Sequence, residues 1–538
     1  MATPSLAMIP SAYADSKVYS VLPNNGDGDF TFNRDSSATR VGQNGLIQTV
    51  GYFGSELVVN GDFATDSDWT KGSDWTISGG KGNLALSDNP TNSTLTSTGL
   101  VLDASKTYLI SYNISNYVSG GLAFVTGNIS IPSTNGFHKF EYTGQTNFSI
   151  KRFGGASQLS IDNISIKEVL GDQPRLNYDI SNGVVQSCPS LLLEGASTNL
   201  VTYSEDFSQS AWTKTNTSIT SNSTISPDGN LNADSIVGNG ASGLHYILNS
   251  VTVSSGQNYT FSIFAKVGTN NFFQLNMGGA PFGSTNYCNF NLSNGTIGSF
   301  GNTTSNRFIE KLGNNWYRIG FTGTSLSSGS ANFFPMLITS ATSSFLETNT
   351  LDTSVQIYGA QLEESSYATS YIPTNGSSQT RAAETCNDAG NAATFNDSEG
   401  VLYAEMAALA DDSTLKSVCI NDSTTGNRVI INYSNQSNRL TADVRVGAVG
   451  QAFMQTFNFT ITNLLKIALK YKANDFALWV NGTEVATDNS GSTFSANTLN
   501  NLSFDNGAGG EDFYGKVKDI RVYNEALTDA QLQTLTTL

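Results

Sequence analysis

The sequence predicts an all-β protein, built as tandem antiparallel β-sandwiches on a small β-rich N-terminal base. Three observations carry this. Only 13% of the 538 residues are charged, against roughly 25% in ordinary soluble domains, so the polar surface falls to Asn, Ser, Thr and Gly. Such residues suit turns and sandwich surfaces better than helices. Short runs of alternating polar and apolar residues recur along the chain, cut by Gly-, Asn- and Ser-rich turns. That is the pattern of half-buried antiparallel strands. The length exceeds what one hydrophobic core organises and implies several domains, while 10% aromatic residues supply too much apolar surface for simple disorder.

Taken in order, residues 1–51 form the expected base, and residues 172–197 are its return segment. Between them, residues 52–171 are expected to form a first sandwich. Its opening, LVVNGDFATDSDWTK (57–71), recurs as LVTYSEDFSQSAWTK (200–214), which matches Asp62 with Asp206, Phe63 with Phe207 and Trp69 with Trp212. The two copies lie a domain's length apart, a module repeat rather than a solenoid period. Each copy continues into alternating strands, KTYLISY (Lys106–Tyr112) and QNYTFSIFAK (Gln257–Lys266). Each then closes with another, LSIDNISIKEV (Leu159–Val169) and VQIYGAQLE (Val355–Glu363). Pairing of opening with closing strands makes each copy a self-contained jelly roll, the second over residues 198–366.

Residues 367–396, with Pro373 and few apolar runs, read as a linker. A third sandwich is expected over 397–538, with strands at Gly400–Met406, Arg428–Tyr433, Leu465–Tyr471 and Asp475–Val480. Asn481-Gly482 after the last of these is a hairpin turn, because both residues accept positive φ. One helix is expected, over Asn524–Leu538, with Thr528 as N-cap and Gln531 completing a capping box.

The net charge of −17 argues against nucleic acid, which needs clustered Lys and Arg, and against anionic membranes. No run approaches the ~20 apolar residues of a membrane span, so no membrane insertion is expected. Pro4 and Pro10 interrupt the N-terminal apolar run and no basic residue precedes it, so no secretory signal is expected. The four cysteines, Cys188, Cys288, Cys386 and Cys419, lack metal-ligand spacing and are expected to be buried free thiols.

Four segments resemble the structural proteins of tailed-bacteriophage virions, of tail-fibre and head-spike type. They are FTFNRDSSATRVGQNGLIQTV (Phe30–Val50), PRLNYD (Pro174–Asp179), LLLEGASTNLVTYSEDFSQSAWTK (Leu191–Lys214) and GAQLEESSYATSYIPTNGSSQTRAAE (Gly359–Glu384). The first sandwich separates signatures that usually adjoin in such proteins, so it reads as an insertion at an exposed loop. The two jelly rolls resemble carbohydrate-binding modules of the galactose-binding-like type. KIALKYKANDFALWVNGTEVA and FYGKVKDIRVYNEALTDAQL resemble concanavalin A-like (laminin G-like) sandwiches.

The resemblance implies a tail or head fibre, assembled in the host cytoplasm into a virion and partnered by other virion proteins. The fibre analogy favours a homotrimer, and the module resemblance implies adhesion to host-surface glycan. It also implies a structural Ca²⁺ at Asp62 and Asp162 of the first jelly roll. The second copy keeps Asp206, but the stretch VQIYGAQ (Val355–Gln361) of its closing strand has no carboxylate. No other cofactor is implied.

Among the tryptophans, Trp69, Trp212 and Trp479 sit at strand or repeat positions that call for core anchors. Trp75 and Trp316 remain as candidates for stacking on a sugar ring, whose C–H face suits a flat aromatic. No catalytic residue is assigned. His138 and His245 lie in different modules, too little for a His-based triad or a multi-His metal site. Glu363-Glu364, Asp411-Asp412 and Glu511-Asp512 read as turn or rim charges. Two other readings stay open: a polysaccharide-depolymerising tailspike, which needs two carboxylates in one groove, and a purely architectural virion protein.

Overall fold

The computed structural model describes residues 2–51, 53–87, 93–169, 172–283 and 285–538. Strand follows strand almost throughout, and the chain divides into two compact units, Gly51–Gly171 and Met1–Val50 with Asp172–Leu538.

In the unit Gly51–Gly171, two long strands, Thr107–Phe124 and Ser149–Val169, run antiparallel along most of their length. Strict alternation over 107–114 buries Tyr108, Ile110, Tyr112 and Ile114. Strands of such length stay in one sandwich only by bending, and the register breaks between Ser115 and Gly121 provide the bends. Gly120 sits there at φ 72°, where a Cβ would lie 2.6 Å from Ala156 O. Phe53–Glu56 pairs with the closing strand, Glu56 opposite Lys167 and Phe53 opposite Val169. The two ends of the unit therefore leave side by side.

The second sandwich stacks two six-stranded sheets. One contains Tyr246–Val253, Gly329–Leu337 and Phe272–Gly278; the other contains Ser354–Glu363, Asn258–Val267 and Tyr317–Thr324. Phe261, Phe273, Phe290, Phe321 and Phe333 fill the space between.

The repeated opening motif has one structural meaning in both copies. Phe63 packs on Trp69 (ring centroids 4.9 Å apart) and Phe207 on Trp212 (5.0 Å). Each indole N–H donates back to its opening segment, Trp69 to Asn60 O at 2.9 Å and Trp212 to Tyr203 O at 2.8 Å. The motif is a core anchor that closes the entry loop.

The C-terminal sandwich sets a five-stranded sheet against an eight-stranded one. The larger sheet changes the expected domain plan. Leu6–Met8 and Ser190–Leu193 both pair with Gly515–Tyr523, and Arg175–Asn177 extends the same sheet. The segments 1–51 and 172–197 are thus no separate base. Their strands, two to four residues long, cannot enclose a core, and Leu6, Phe30, Phe32, Leu191 and Leu193 join the core of Leu402, Ile520 and Val522 instead. Nor is 367–396 a loose linker, because Gln379–Arg381 pairs with Ser197–Asn199 and Thr385–Asn387 with Phe30–Asn33.

Asn481 (φ 49°) and Gly482 (φ 80°) make the expected turn between Phe476–Val480 and Thr483–Asp488. The helix is shorter than expected, Asp529–Thr536, because Thr528 caps it in extended conformation with both halves of the capping box formed. Leu532 and Leu535 seat it beside Trp479 and Tyr523. No helix among the described residues is long and apolar enough to cross a membrane. Cys288, Cys386 and Cys419 are buried, whereas Cys188, expected to be buried, is exposed among polar neighbours.

Residues 51–171 produced alone are expected to unfold in one cooperative thermal transition by far-UV circular dichroism, since they enclose their own core. A broad, non-cooperative melt would overturn this.

Candidate functional site

The segments Phe30–Val50, Pro174–Asp179, Leu191–Lys214 and Gly359–Glu384 converge on a buried ionic knot. Arg175, on its three-residue strand, donates through Nε to Glu384 Oε1 at 2.8 Å and through Nη2 to Glu384 Oε2. Its Nη1 reaches Glu194 Oε2 at 2.7 Å, Ser370 Oγ at 2.7 Å and Thr39 O at 3.1 Å. Arg34 donates to the same Glu384 at 2.8 Å, and Arg381 lies 3.1 Å from Glu194. Each of these five side chains is 3% exposed or less.

Burial alone would raise the Glu194 carboxyl, but Arg381 and Arg175 hold it well below the usual carboxylate range. Burial likewise opposes the Arg175 charge, yet Glu384 and Glu194 keep it firmly protonated. Beside the knot, Glu363 accepts from Ser197 Oγ at 2.6 Å, Gln361 Nε2 at 2.7 Å and Thr369 N at 3.1 Å. Glu363 is fully buried and not the rim charge expected: Leu362 takes the core face of the strand, and Ser197 and Thr369 cover the opposite face, where Glu363 lies.

The outer face of the five-stranded sheet is polar, since Val429, Ile431 and Tyr433 point to the core and alternate residues point away. Across it, Ser417 donates to Asn432 Oδ1, and Asp443 pairs with Arg445 at 2.6 Å and Arg428 at 3.6 Å. Toward Lys416–Asn421 this face is closed, where Cys419, Asn421, Ser503 and Asp505 bury one another. It opens at the edge strand Val449–Thr456. There Phe453 is 56% exposed and Phe457 51%. The Arg439 guanidinium lies 6.0 Å from the Phe453 ring and 5.7 Å from the Phe457 ring, fixed by Nε and Nη2 donating to Gln455 Oε1 at 3.0 and 2.6 Å. Two exposed aromatic rings that share one guanidinium, with a carboxamide beside it, can hold a polyhydroxylated ligand.

The sequence-assigned residues fall elsewhere. Trp75 (3% exposed) and Trp316 (1%) are core residues. Trp75 Nε1 donates to Ser93 O and Trp316 Nε1 to Ile225 O, while Lys266 Nζ covers the Trp316 ring at 5.9 Å. Neither indole has a face for a sugar, so the stacking expectation is corrected. A short strand next to a turn gives too little periodicity to tell inside from outside.

Asp62 and Asp162 stand near the junction where Gly61 and Ile164 bond through their backbones, but both serve local turns. Asp62 Oδ1 accepts from Ala64 N, and Asp162 accepts from Asn163 N and Nδ2. No cluster of three or more His, Cys, Asp or Glu side chains occurs among the described residues. The two carboxylates, each engaged in its own turn, therefore fall short of the six to eight oxygens that calcium requires.

A carboxylate pair that sequence reasoning missed is Glu205 and Asp228, which share the Tyr358 hydroxyl at 2.9 and 3.0 Å. Burial pushes Glu205 up. Burial also works on Asp228, but donors from Ser226 and Asn230 hold it down. Divergent pKa values suit acid–base work, yet the Tyr358 hydroxyl, backed by Tyr371 on Glu205, fills the gap a scissile bond would need. The pair acts as a brace. Phe453 and Phe457 were also missed; their signal is QAFMQTF (451–457), in which aromatics share a face with glutamines while Ala452 and Met454 point inward.

Residues 404–533 match the family described as the concanavalin A-like lectin/glucanases superfamily. No curated protein matches the chain. Among solved structures, the chain is similar to a carbohydrate-binding module (CBM40) of a Ruminococcus gnavus IT-sialidase bound to α2,3-sialyllactose. Identity is 17%, over 26% of this chain and 84% of that one, with a TM-score of 0.23. It is also similar to the tandem CBM22 domains of Paenibacillus barcinonensis Xyn10C (11% identity; 58% and 98% covered; TM-score 0.21). A heptameric pentraxin of Limulus polyphemus matches at 14% identity, with 25% and 68% covered and a TM-score of 0.21.

Arg175→Met is expected to lower the unfolding free energy by about 3–5 kcal/mol in urea titrations, the usual cost of stranding buried charges. The folded-state pKa of Glu194 is depressed, so its contribution is complete above the unfolded value of roughly 4.3 and is lost as pH falls toward the folded value. The stability difference between wild type and Glu194→Gln should hold constant above about pH 5 and shrink below about pH 4. A difference independent of pH would show that Glu194 is not ionised in the knot.

Proposed function

We propose that this chain is a non-enzymatic adhesive appendage of a tailed-bacteriophage virion, of tail- or head-fibre type, that presents β-sandwiches to host-surface glycan. The carrying observation is the open Phe453–Phe457 edge, where two exposed rings flank a fixed guanidinium and carboxamide on a lectin-like sandwich. Rings of this kind bury the apolar face of a sugar, and neighbouring amides take up its hydroxyls.

Support for the virion half comes from the segments at Phe30–Val50, Pro174–Asp179, Leu191–Lys214 and Gly359–Glu384, whose charged residues form the knot. A particle-borne fibre must withstand shear, and charges locked between distant segments suit that demand. Other virion proteins are the partners in this reading, and a homotrimer is the fibre-like assembly. Multiple copies would give weak single contacts useful avidity. The filled gap between Glu205 and Asp228 favours binding over hydrolysis.

On a glycan array and on host cells, the purified chain is expected to bind without releasing oligosaccharide. Phe453→Ala and Phe457→Ala should each weaken binding about tenfold, some 1.4 kcal/mol, with unchanged melting because both rings are exposed. Binding that survives the double substitution would remove this edge from the contact. Released product would make the chain a depolymerase, and its absence from purified particles would overturn the virion assignment.

A further inference from the structure

We infer that a separate cleft beside the ionic knot binds an anionic, carboxylate-bearing saccharide. The cleft has a volume of ≈ 790 Å³ and is walled by the hairpin around Arg40, the turn Tyr178–Asn182, the strand pair carrying Lys311 and Arg318, and the segment Tyr367–Tyr371. Glu194, Thr369 and Ser370 belong both to its lining and to the knot, so one wall is fixed by buried charge.

Four cationic side chains line it: Arg40, Lys311, Arg318 and Lys516. Against them stand Asp179, which pairs with Lys516, Glu310, opposite Arg318 in strand register, and Glu194, which Arg175 and Arg381 already neutralise. Among the described residues, Arg40, Lys311 and Arg318 form no ion pair. In a chain with 27 basic and 44 acidic residues, three free cations in one cleft make a local field that draws anions.

The arginines are held for planar recognition. Arg40 lies 5.6 Å from the Tyr13 ring and Arg318 5.5 Å from the Phe264 ring, with Arg318 Nη2 donating to Ser262 Oγ at 3.2 Å. A guanidinium so fixed presents paired N–H groups that match a carboxylate. Polyhydroxylated character follows from the adjoining hollow of ≈ 540 Å³, which shares Arg40 and Tyr178 and is lined by Gln43, Asn44 and Gln48. Carboxamides both donate to and accept from hydroxyls. The two hollows together suit an extended oligomer rather than a single small anion.

The test is calorimetric titration of the full chain with tetragalacturonate and an α2,8-linked sialic acid tetramer, with methyl-esterified tetragalacturonate as the uncharged match. At least one carboxylated tetramer is expected to bind, the ester at least tenfold more weakly, and 0.5 M NaCl should weaken binding several-fold. Arg318→Gln and Lys311→Gln should each cost about fivefold with unchanged melting. Phe453→Ala/Phe457→Ala should leave this binding intact, which separates it from the edge proposed above. Failure of both tetramers, equal binding of the ester, or no loss in the Arg318→Gln/Lys311→Gln double variant would overturn the inference. Tighter binding of a thymidine octanucleotide would also overturn it, by assigning the cleft to phosphate.

Discussion

The knot of Arg34, Arg175, Arg381, Glu194 and Glu384 is the constraint on which the larger unit depends. Burying five charges carries a desolvation cost that only complete pairing offsets, and Glu384 alone accepts from Arg34, Arg175 and the Glu194 backbone. These partners lie as far as 350 positions apart. Their joint satisfaction sets how the N-terminal strands, the return segment and the exit of the second sandwich meet. An apolar contact at this place would stabilise as well but would tolerate sliding. Guanidinium–carboxylate geometry does not, because each N–H needs its own oxygen.

That fixed junction explains how a whole sandwich can stand within the chain. Where the chain resumes after Gly171, Asp172 accepts from Ser16 N through its carbonyl and from Asp35 N through its side chain. The inserted unit closes itself, with Phe53–Glu56 beside its last strand and Trp69 sealing the entry loop. Among the described residues, every sheet is completed within one unit.

Much of this was legible in residue patterns. Period-2 alternation located Arg428–Tyr433 to the residue and Gln257–Lys266, Val355–Glu363 and Leu465–Tyr471 within a position or so, but caught only one end each of Thr107–Phe124 and Ser149–Val169. The Asn481-Gly482 turn and the Thr528–Gln531 cap were readable because local chemistry alone decides them. Trp69 and Trp212 were readable as anchors because the repeat supplied two instances of one environment. Trp75, Trp316, Glu363 and Cys188 were not, since their burial depends on what a distant segment places over them. The segment 367–396 looked like a linker for the same reason: Arg381 and Glu384 gain structural meaning only when Arg175, Arg34 and Glu194 arrive from elsewhere.

Scarcity of charge makes the position of each charge informative. A chain that clothes itself in Asn, Ser and Thr gains solubility without ions, so the ions it retains are concentrated where geometry matters. Most of the buried ones pair: the knot, Lys416 with Asp412, and Asp443 with Arg445. Arg439, which hydrogen-bonds a carboxamide instead of an acid, lies between the two open phenylalanine rings. Arg40, Lys311 and Arg318, which form no ion pair among the described residues, share one cleft. Both places leave a cation oriented by neutral neighbours and open to a ligand, the arrangement in which desolvating the charge costs least when the ligand itself supplies the partner.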